Sequence, residues 1–438
     1  MRSRAYASVR VNDVDAETLA RGHDSQDVVV GMDIGKYDIK VVCRWPNARF
    51  ERPWSVNNPS QIASLVRVLQ TLGHGRQLRV ALEPSGTYGD ALRQALQDGG
   101  LSVERVSPKA AHDYAEIFDG VPSQHDGKDA AVVAELAALG KSTPWPYAPP
   151  DAWRQEMAYW VDELEYHRRV LVLGLGRIEA LLARHWPEAT RTLSLSSGTL
   201  LRVLATYGGP AALAADVHAL EVLQRWGGKY LTAAKAQELL AGARNTVGVR
   251  QGEWDRQLRV NAERARAARQ AFARSKRRLQ RLARDHAILQ AQGAVVGVPT
   301  ACVLWTRLGD PRDYACAGAY RKAMGLNLTE RSSGTWQGKL RISKRGHPQT
   351  RQWLYLATLR LIQRAGVQPW YQAKKARDGD GAKRALVAVM RKLALALYHV
   401  GARGATFDAR RLFARIARRR EKKAEARTAS RGTGSGRG

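Results

Sequence analysis

Between Ser142 and Asp151 the chain reads STPWPYAPPD, with four prolines in ten residues. Proline fixes φ and removes a backbone donor, so neither a helix nor a central strand can cross such a run. The 438 residues must therefore fold as more than one module, with an edge near residue 150. The charge divides at the same place. Of 71 Lys+Arg and 40 Asp+Glu, residues 1–150 hold 17 and 18, and the remainder holds 54 and 22. A module of net −1 is thus joined to one of net +32. Such a split points to a neutral unit attached to one that binds a polyanion. DNA or RNA fits best, because phosphate backbones reward clustered Lys and Arg by releasing counterions. A solubilising surface explains a short basic tail and not an excess of this size.

Other classes fall away on composition. Hydrophobic residues at 44% and charged residues at 25% are ordinary for a globular chain and argue against wholesale disorder. The three cysteines, Cys43, Cys302 and Cys316, are too few and too scattered for a disulfide scaffold or a cysteine-rich zinc module, and they fit a reducing cytoplasm. No apolar run approaches the ~18 residues needed to cross a bilayer. The opening MRSRAYASVRVND has no apolar core for a secretion signal. The expectation is a cytoplasmic protein with no membrane partner.

The first module reads as α/β. VVVGMDIGKYDIKVVCRW (Val28 to Trp45) is two β-rich runs around a Gly-containing turn, a hairpin pattern. A helix is expected around Ile62 to Leu72, a strand at Leu78 to Glu83, a helix near Tyr88 to Gln97, and a strand LSVERV ending before Pro108. The Ala-rich run from Asp126 to Leu139 favours a helix. Past the prolines, Met157, Val161, Leu164, Leu171, Leu175, Ile178 and Leu182 recur as a coiled-coil seam with Arg168 its one charged interruption, ending at Trp186-Pro187. A second helical run, Glu253 to Gln290, is Ala/Arg-rich and carries Lys276, Arg277 and Arg278. Folded against the first it gives an antiparallel pair with a basic outer face suited to nucleic acid. Residues 190–250 between them form a smaller helical insert of unreadable purpose, and the chain closes on a Gly/Ser/Arg-rich tail.

Four acids deserve weighing together. Asp33 ends one apolar run and Glu83 closes another, while Asp126 and Asp129 lie three apart at a helix start and face the same way. Carboxylates gathered in one cleft repel, and hard divalent cations relieve that repulsion. Mg²⁺ is the expected occupant, and two such ions about 4 Å apart clamp the oxygens of a phosphodiester. Singly, each acid is more often a turn or cap residue. The hairpin GMDIGKYDIK also looks like the phosphate-binding hairpin of actin-like sugar kinases, but no second hairpin of that type follows. A second constellation runs from Gly297 to His347. GVPTACVLWTRLGDPRDY opens with a turn suited to close approach of DNA phosphates. Ser332, Ser333 and Gly334 are then followed by Lys339, Arg341, Lys344, Arg345 and His347. A serine hydroxyl among cations can attack phosphorus, although Ser-Ser-Gly alone is a common turn.

Taken together, VVVGMDIGKYDIKV, VALEPSGTYG, HDGKDA, GVPTACVLWTRLGDPRDY, GLNLTERSSG and ISKRGH, with the late helix AKRALVAVMRKLALALYHV, resemble the DEDD transposases of bacterial insertion sequences, the Piv/MooV-like relatives described as bridge-RNA-guided serine recombinases. The resemblance spans about Val28 to Val400. It implies an α/β plus α architecture: an N-terminal extension (1–26), a RuvC-like RNase H-type catalytic domain (27–145), a coiled-coil helical domain (151–290) with the 190–250 insert, a mainly helical C-terminal transposase domain (291–405), and a basic tail (410–438). It implies Asp33, Glu83, Asp126 and Asp129 as metal-binding catalytic acids and Ser333 as nucleophile, with Ser332 as rival. It also implies Mg²⁺-dependent cleavage and exchange of donor and target double-stranded DNA, a guide (bridge) RNA partner, a dimeric or tetrameric assembly, and residence at the bacterial nucleoid. Lys276, Arg277, Arg278, Lys339, Arg341, Lys344 and Arg345 stand as nucleic-acid contacts. His125-Asp126 replaces the KTD-type lead common in the family, and His125 is more readily a surface or supporting residue than a ligand. Two rivals remain: a Holliday-junction-type nuclease using water, and a non-catalytic RNA- or DNA-binding protein.

Overall fold

The computed structural model describes residues 8–23, 27–84, 86–119, 126–330, 332–333, 338, 340–379 and 381–414. These form two compact units that divide between Pro149 and Pro150. His125, Gly334, Lys339 and the tail beyond residue 414 lie outside the described residues.

The first unit is built on a seven-stranded sheet: β1 (Val9–Arg10), β2 (Asp27–Ile34), β3 (Asp38–Arg44), β4 (Trp54–Asn57), β5 (Gln77–Leu82), β6 (Ser102–Val106) and β7 (Ser142–Pro144), in the order β1-β4-β3-β2-β5-β6-β7. β2, β3 and β4 form an antiparallel meander, β2, β5 and β6 run parallel, β7 closes one edge antiparallel, and β1 lies parallel to β4 at the other. The β4-β3-β2-β5-β6 order at its centre, an antiparallel meander continued by parallel strands, is the RNase H-type fold of the RuvC-like kind. Helices cover both faces: α1 (Ala16–Arg21), α2 (Ile62–Leu72) and α3 (Asp90–Asp98) on one, α4 (Pro108–Asp119) and α5 (Asp126–Ala138) on the other.

β2 sits in the middle, buried along nearly its whole length, as its almost unbroken apolar run requires. The strand period of two sends Val28, Val30, Met32 and Ile34 into the core beneath α2 and α3. Val29, Gly31 and Asp33 therefore point to the face that α5 covers. A Cβ on Gly31 would lie 2.1 Å from the Ala130 carbonyl oxygen and 2.4 Å from the Ala134 nitrogen. Glycine opposite a helix of small residues lets α5 descend onto the sheet, which is why the run after Asp126 is rich in alanine.

Two segments the sequence sets apart from this domain belong to its body. Residues 9–21 supply the edge strand β1 and helix α1, which packs beside α2. The proline-rich run is a folded strap: β7 pairs with β6, the Trp145 N–H donates to Val103 O (2.8 Å), and the Arg93 guanidinium lies 3.6 Å from the centre of the Trp145 ring.

The second unit hangs on two long helices, α6 (Ala152–His185) and α12 (Gly252–Leu282). They are antiparallel, since Trp153 near the start of α6 donates to Leu282 O while His185 at its end bonds Asp255. The seam residues Met157, Val161, Leu164, Ile178 and Leu182 are buried, and Leu258, Ala262, Ala265, Ala268 and Leu279 are the buried apolar residues of its partner α12. At one end, α7 (Ala189–Thr192), α8 (Gly198–Tyr207), α9 (Pro210–Ala215), α10 (Ala219–Gly227) and α11 (Ala233–Arg244) enclose a core of their own with Trp186, Leu200, Leu204 and Leu239. At the other, α13 (Ala287–Val296), α14 (Val298–Leu308), α15 (Ala317–Ala323), α16 (Pro348–Leu361), α17 (Gln368–Arg377), α18 (Ala382–Arg403) and α19 (Ala409–Phe413) pack around Met157, Val161, Leu164 and Leu279. No break between a middle and a C-terminal domain therefore falls at residue 290. The expected helix to Gln290 also stops early: after Leu282 the chain turns, and His286, between the Trp153 and Trp305 rings, caps α13. By length and composition α18 could cross a membrane; here one side of it, including Leu386, Val389, Leu393 and Leu397, is buried in the core.

Candidate metal centre and serine hairpin

β2 and β5 run side by side, and the Glu83 N–H approaches Met32 O, so Asp33 and Glu83 leave the sheet at neighbouring strand ends. The first turn of α5 brings Asp126 and Asp129 over the same edge. Carboxylate oxygens of Asp33, Asp126 and Asp129 all lie within 4.8 Å of one another. Glu83 stays outside this tight group but within its field. Burial above all, then Asp129 and Asp126, raises the Asp33 carboxyl from an ordinary 3.8 to about 6. Burial, Asp33 and Asp129 likewise raise Glu83, while His112 of α4 acts in the opposite sense. An all-oxygen set crowded enough to hold on to protons is a set that fits a divalent cation. Of the four sequence-designated acids the structure thus gathers three closely and places the fourth beside them.

The serine segment lies in the second unit. β8 (Leu328–Thr329) and β9 (Arg341–Ile342) pair antiparallel, and the segment between them carries both serines. Their surroundings differ. Ser332 Oγ donates to Glu330 Oε1 (2.8 Å) and accepts from the Gly338 N–H (3.3 Å). Ser333 is exposed, and its hydroxyl has no hydrogen-bond partner among the described residues. The root of the hairpin is pinned: Arg351 Nη1 donates to Met324 O (3.2 Å) and Gly346 O (2.7 Å), and Arg391 Nε donates to Leu326 O (3.0 Å). Gly325, at φ +70°, would place a Cβ 2.6 Å from Arg351 Nη1, so a side chain there meets both strain and a clash. His347 begins α16, and burial, with Arg307 and Arg351 nearby, pushes its imidazole below the ordinary value.

The expected nucleic-acid contacts differ among themselves. Arg277 is exposed and shares one helix face with exposed Arg274 and Arg281. Lys276 is half-buried, 4.4 Å from the Phe272 ring centre. Arg278 is engaged by Glu156 through Nε (2.6 Å) and Nη2. Arg341, Lys344 and Arg345 are exposed on or after β9. Sequence reasoning missed Gly31, Arg351 and Arg391. Only Gly31 left a signal, as a glycine two residues before Asp33 on the same strand face.

A mixed sheet of this order with acids at its central strand ends defines a RuvC-like nuclease-fold domain, here joined to a helical unit. Two family models match the chain: a DEDD transposase model of the IS110 type over residues 30–187 and one described as the transposase IS116/IS110/IS902 family over residues 289–375. The chain belongs to the IS110-type DEDD transposases. No curated protein matches it. Among solved structures, T. thermophilus RuvC in complex with a Holliday junction substrate is 19% identical, covering 27% of this chain and 99% of that one at a TM-score of 0.22.

Proposed function

We propose that this protein is the recombinase of a bacterial insertion sequence, acting at the nucleoid, which cuts and exchanges DNA strands through a covalent phosphoserine link. The observation that carries the reading is the gathering of Asp33, Asp126 and Asp129 within 4.8 Å at the ends of a RuvC-like sheet. These three acids, with Glu83 alongside, would hold two Mg²⁺ ions, which would supply Lewis-acid polarisation of a scissile phosphate. Ser333 is the nucleophile: its hydroxyl oxygen bonds phosphorus as a strand oxygen leaves, its proton is lost, and the departing oxygen takes one up. Religation onto the partner strand reverses these steps. Ser332 is the poorer candidate because its oxygen is already engaged by Glu330 and Gly338. The excess of 54 Lys+Arg over 22 Asp+Glu beyond residue 150 suits a unit that holds bridge RNA with donor and target duplexes in a dimeric or tetrameric assembly. Arg277, Arg341, Lys344 and Arg345 are its exposed contacts, joined by Lys276 and Lys339, while Arg278, held by Glu156, serves the helix pair rather than a phosphate.

The test is a denaturing gel of a cleavage reaction using full-length protein with the RNA that co-purifies with it. A protein-linked DNA strand is expected from the wild type and from Ser332→Ala, and none from Ser333→Ala. Alanine at Asp33, Glu83, Asp126 or Asp129 should abolish cleavage. An adduct from Ser333→Ala moves the nucleophile elsewhere. Free 5′-phosphate and 3′-hydroxyl ends without any adduct indicate a nuclease using water. Binding indifferent to Mg²⁺ with no cleavage indicates a packaging protein.

A further inference from the structure

Two exposed tyrosines follow the acid-bearing ends of β2 and β5. Tyr37 is 69% exposed in the turn between β2 and β3, four residues beyond Asp33; Tyr88 is 49% exposed in the segment after β5, five residues beyond Glu83. Both segments leave the same end of two paired strands, the end that carries the carboxylates. A solitary exposed tyrosine is unremarkable on a protein surface, but these two share one mount. Asn58, 7% exposed, donates through Nδ2 to Gly35 O (3.0 Å) and Tyr88 O (3.4 Å), and its N–H donates to Tyr37 O (2.9 Å). One buried amide residue thus fixes the main chain of both tyrosines. The two segments also touch, since a Cβ on Gly89 would lie 2.9 Å from Ile34 Cδ1. Lys36, with Nζ 4.8 Å from the Tyr37 ring centre, adds a cation at the same rim.

We propose that Tyr37 and Tyr88 stack on an unpaired base of the DNA strand being cut, next to the phosphate that the acidic cluster receives. The proposal rests on the reading of that cluster as a DNA-cleaving centre. Rigid aromatics beside a phosphate site suit single-stranded nucleic acid, because every base offers a face for stacking and no particular sequence is demanded. Lys36 then pairs with a neighbouring phosphate. The tyrosines hold the strand so that backbone, rather than base, lies over the carboxylates, with Asn58 as the positioning residue behind them.

The experiment uses full-length protein, a forked DNA duplex carrying 2-aminopurine at each unpaired position in turn, and Ca²⁺ in place of Mg²⁺ to hold the complex uncut. Stacking should quench the fluorescence several-fold at one or two adjacent positions. The double variant Tyr37→Ala/Tyr88→Ala should lose the quench and bind the fork about tenfold more weakly or worse. Tyr37→Phe/Tyr88→Phe should retain both. A quench that survives the alanine pair, or one lost equally with phenylalanine, overturns the proposal. Asp33→Asn separates the two readings: it should abolish cleavage and keep the quench. Cleavage persisting in Asp33→Asn would refute the metal-centre reading while leaving the aromatic pair to stand on its own signal.

Discussion

Asp33 concentrates the electrostatic cost of the first unit. In an unfolded chain its carboxyl ionises at 3.8; in the folded unit burial, Asp129 and Asp126 hold it at about 6. Between those values the folded state binds more protons than the unfolded one, so stability falls as pH rises through the window, and the cost is fully present above about 6. Asp33→Asn removes it. Allowing for the solvent that reaches the group, the variant should be about 1–2 kcal/mol more stable than the wild type at neutral pH without divalent ions. A melting temperature several degrees higher would register this. Mg²⁺ should raise the melting temperature of the wild type at pH 7.5, far less at pH 5 where the proton competes, and not that of Asp33→Asn. A lower melting temperature for metal-free Asp33→Asn, or an equal gain from Mg²⁺, would contradict the assignment.

Secondary elements with a strong internal period were legible in the sequence. The seam from Met157 to Leu182 reads correctly as a helix, and the β2–β3 hairpin as strands, because apolar spacing alone decides them. Edge elements were not: β1 and β7 are short, and their pairing comes from neighbours distant in the chain. The partner of the seam was legible too, since the Ala/Arg-rich run from Glu253 folds against it as α12. What the period did not announce is the buried Glu165 of the seam, which accepts from the Trp353 indole and from Arg168. Asp33, Asp126 and Asp129 could be picked out as separate strand-end and helix-start acids, yet their meeting depends on Gly31 and on the alanines of α5. The support of the serine hairpin was unreadable, since Arg351 acts on main-chain oxygens at both of its roots. Arg351→Ala leaves two carbonyl groups without their donor, and Arg351→Lys, a shorter point charge without the planar guanidinium, restores them poorly. Both variants should form the covalent adduct at least about tenfold more slowly, with affinity for the DNA changed little. Quench-flow formation of the protein-linked strand would measure the first and fluorescence anisotropy the second. Loss of affinity with an unchanged adduct rate would instead make Arg351 a DNA contact.

Across the whole molecule the two units divide the labour that their charges suggest. The first gathers the acids proposed to act on a phosphate, and an acidic site cannot by itself attract a polyanion. The second carries a net +32 and can supply the attraction. Its cations are not equivalent, because Arg278 is neutralised by Glu156 and Arg269 reaches Ser196 O, whereas Arg274, Arg277 and Arg281 line one exposed face of α12. Replacing these three with alanine should weaken nucleic-acid binding uniformly across sequences. The slope of log affinity against log salt should become shallower by about one for each phosphate left without its arginine, three at most. Arg278→Ala should leave the slope as it is and lower the melting temperature, since it frees Glu156 rather than a phosphate. Titrations of a labelled duplex across a salt series distinguish the cases. A triple variant with the wild-type slope would remove α12 from the nucleic-acid surface and shift the search for that surface to Arg341, Lys344 and Arg345.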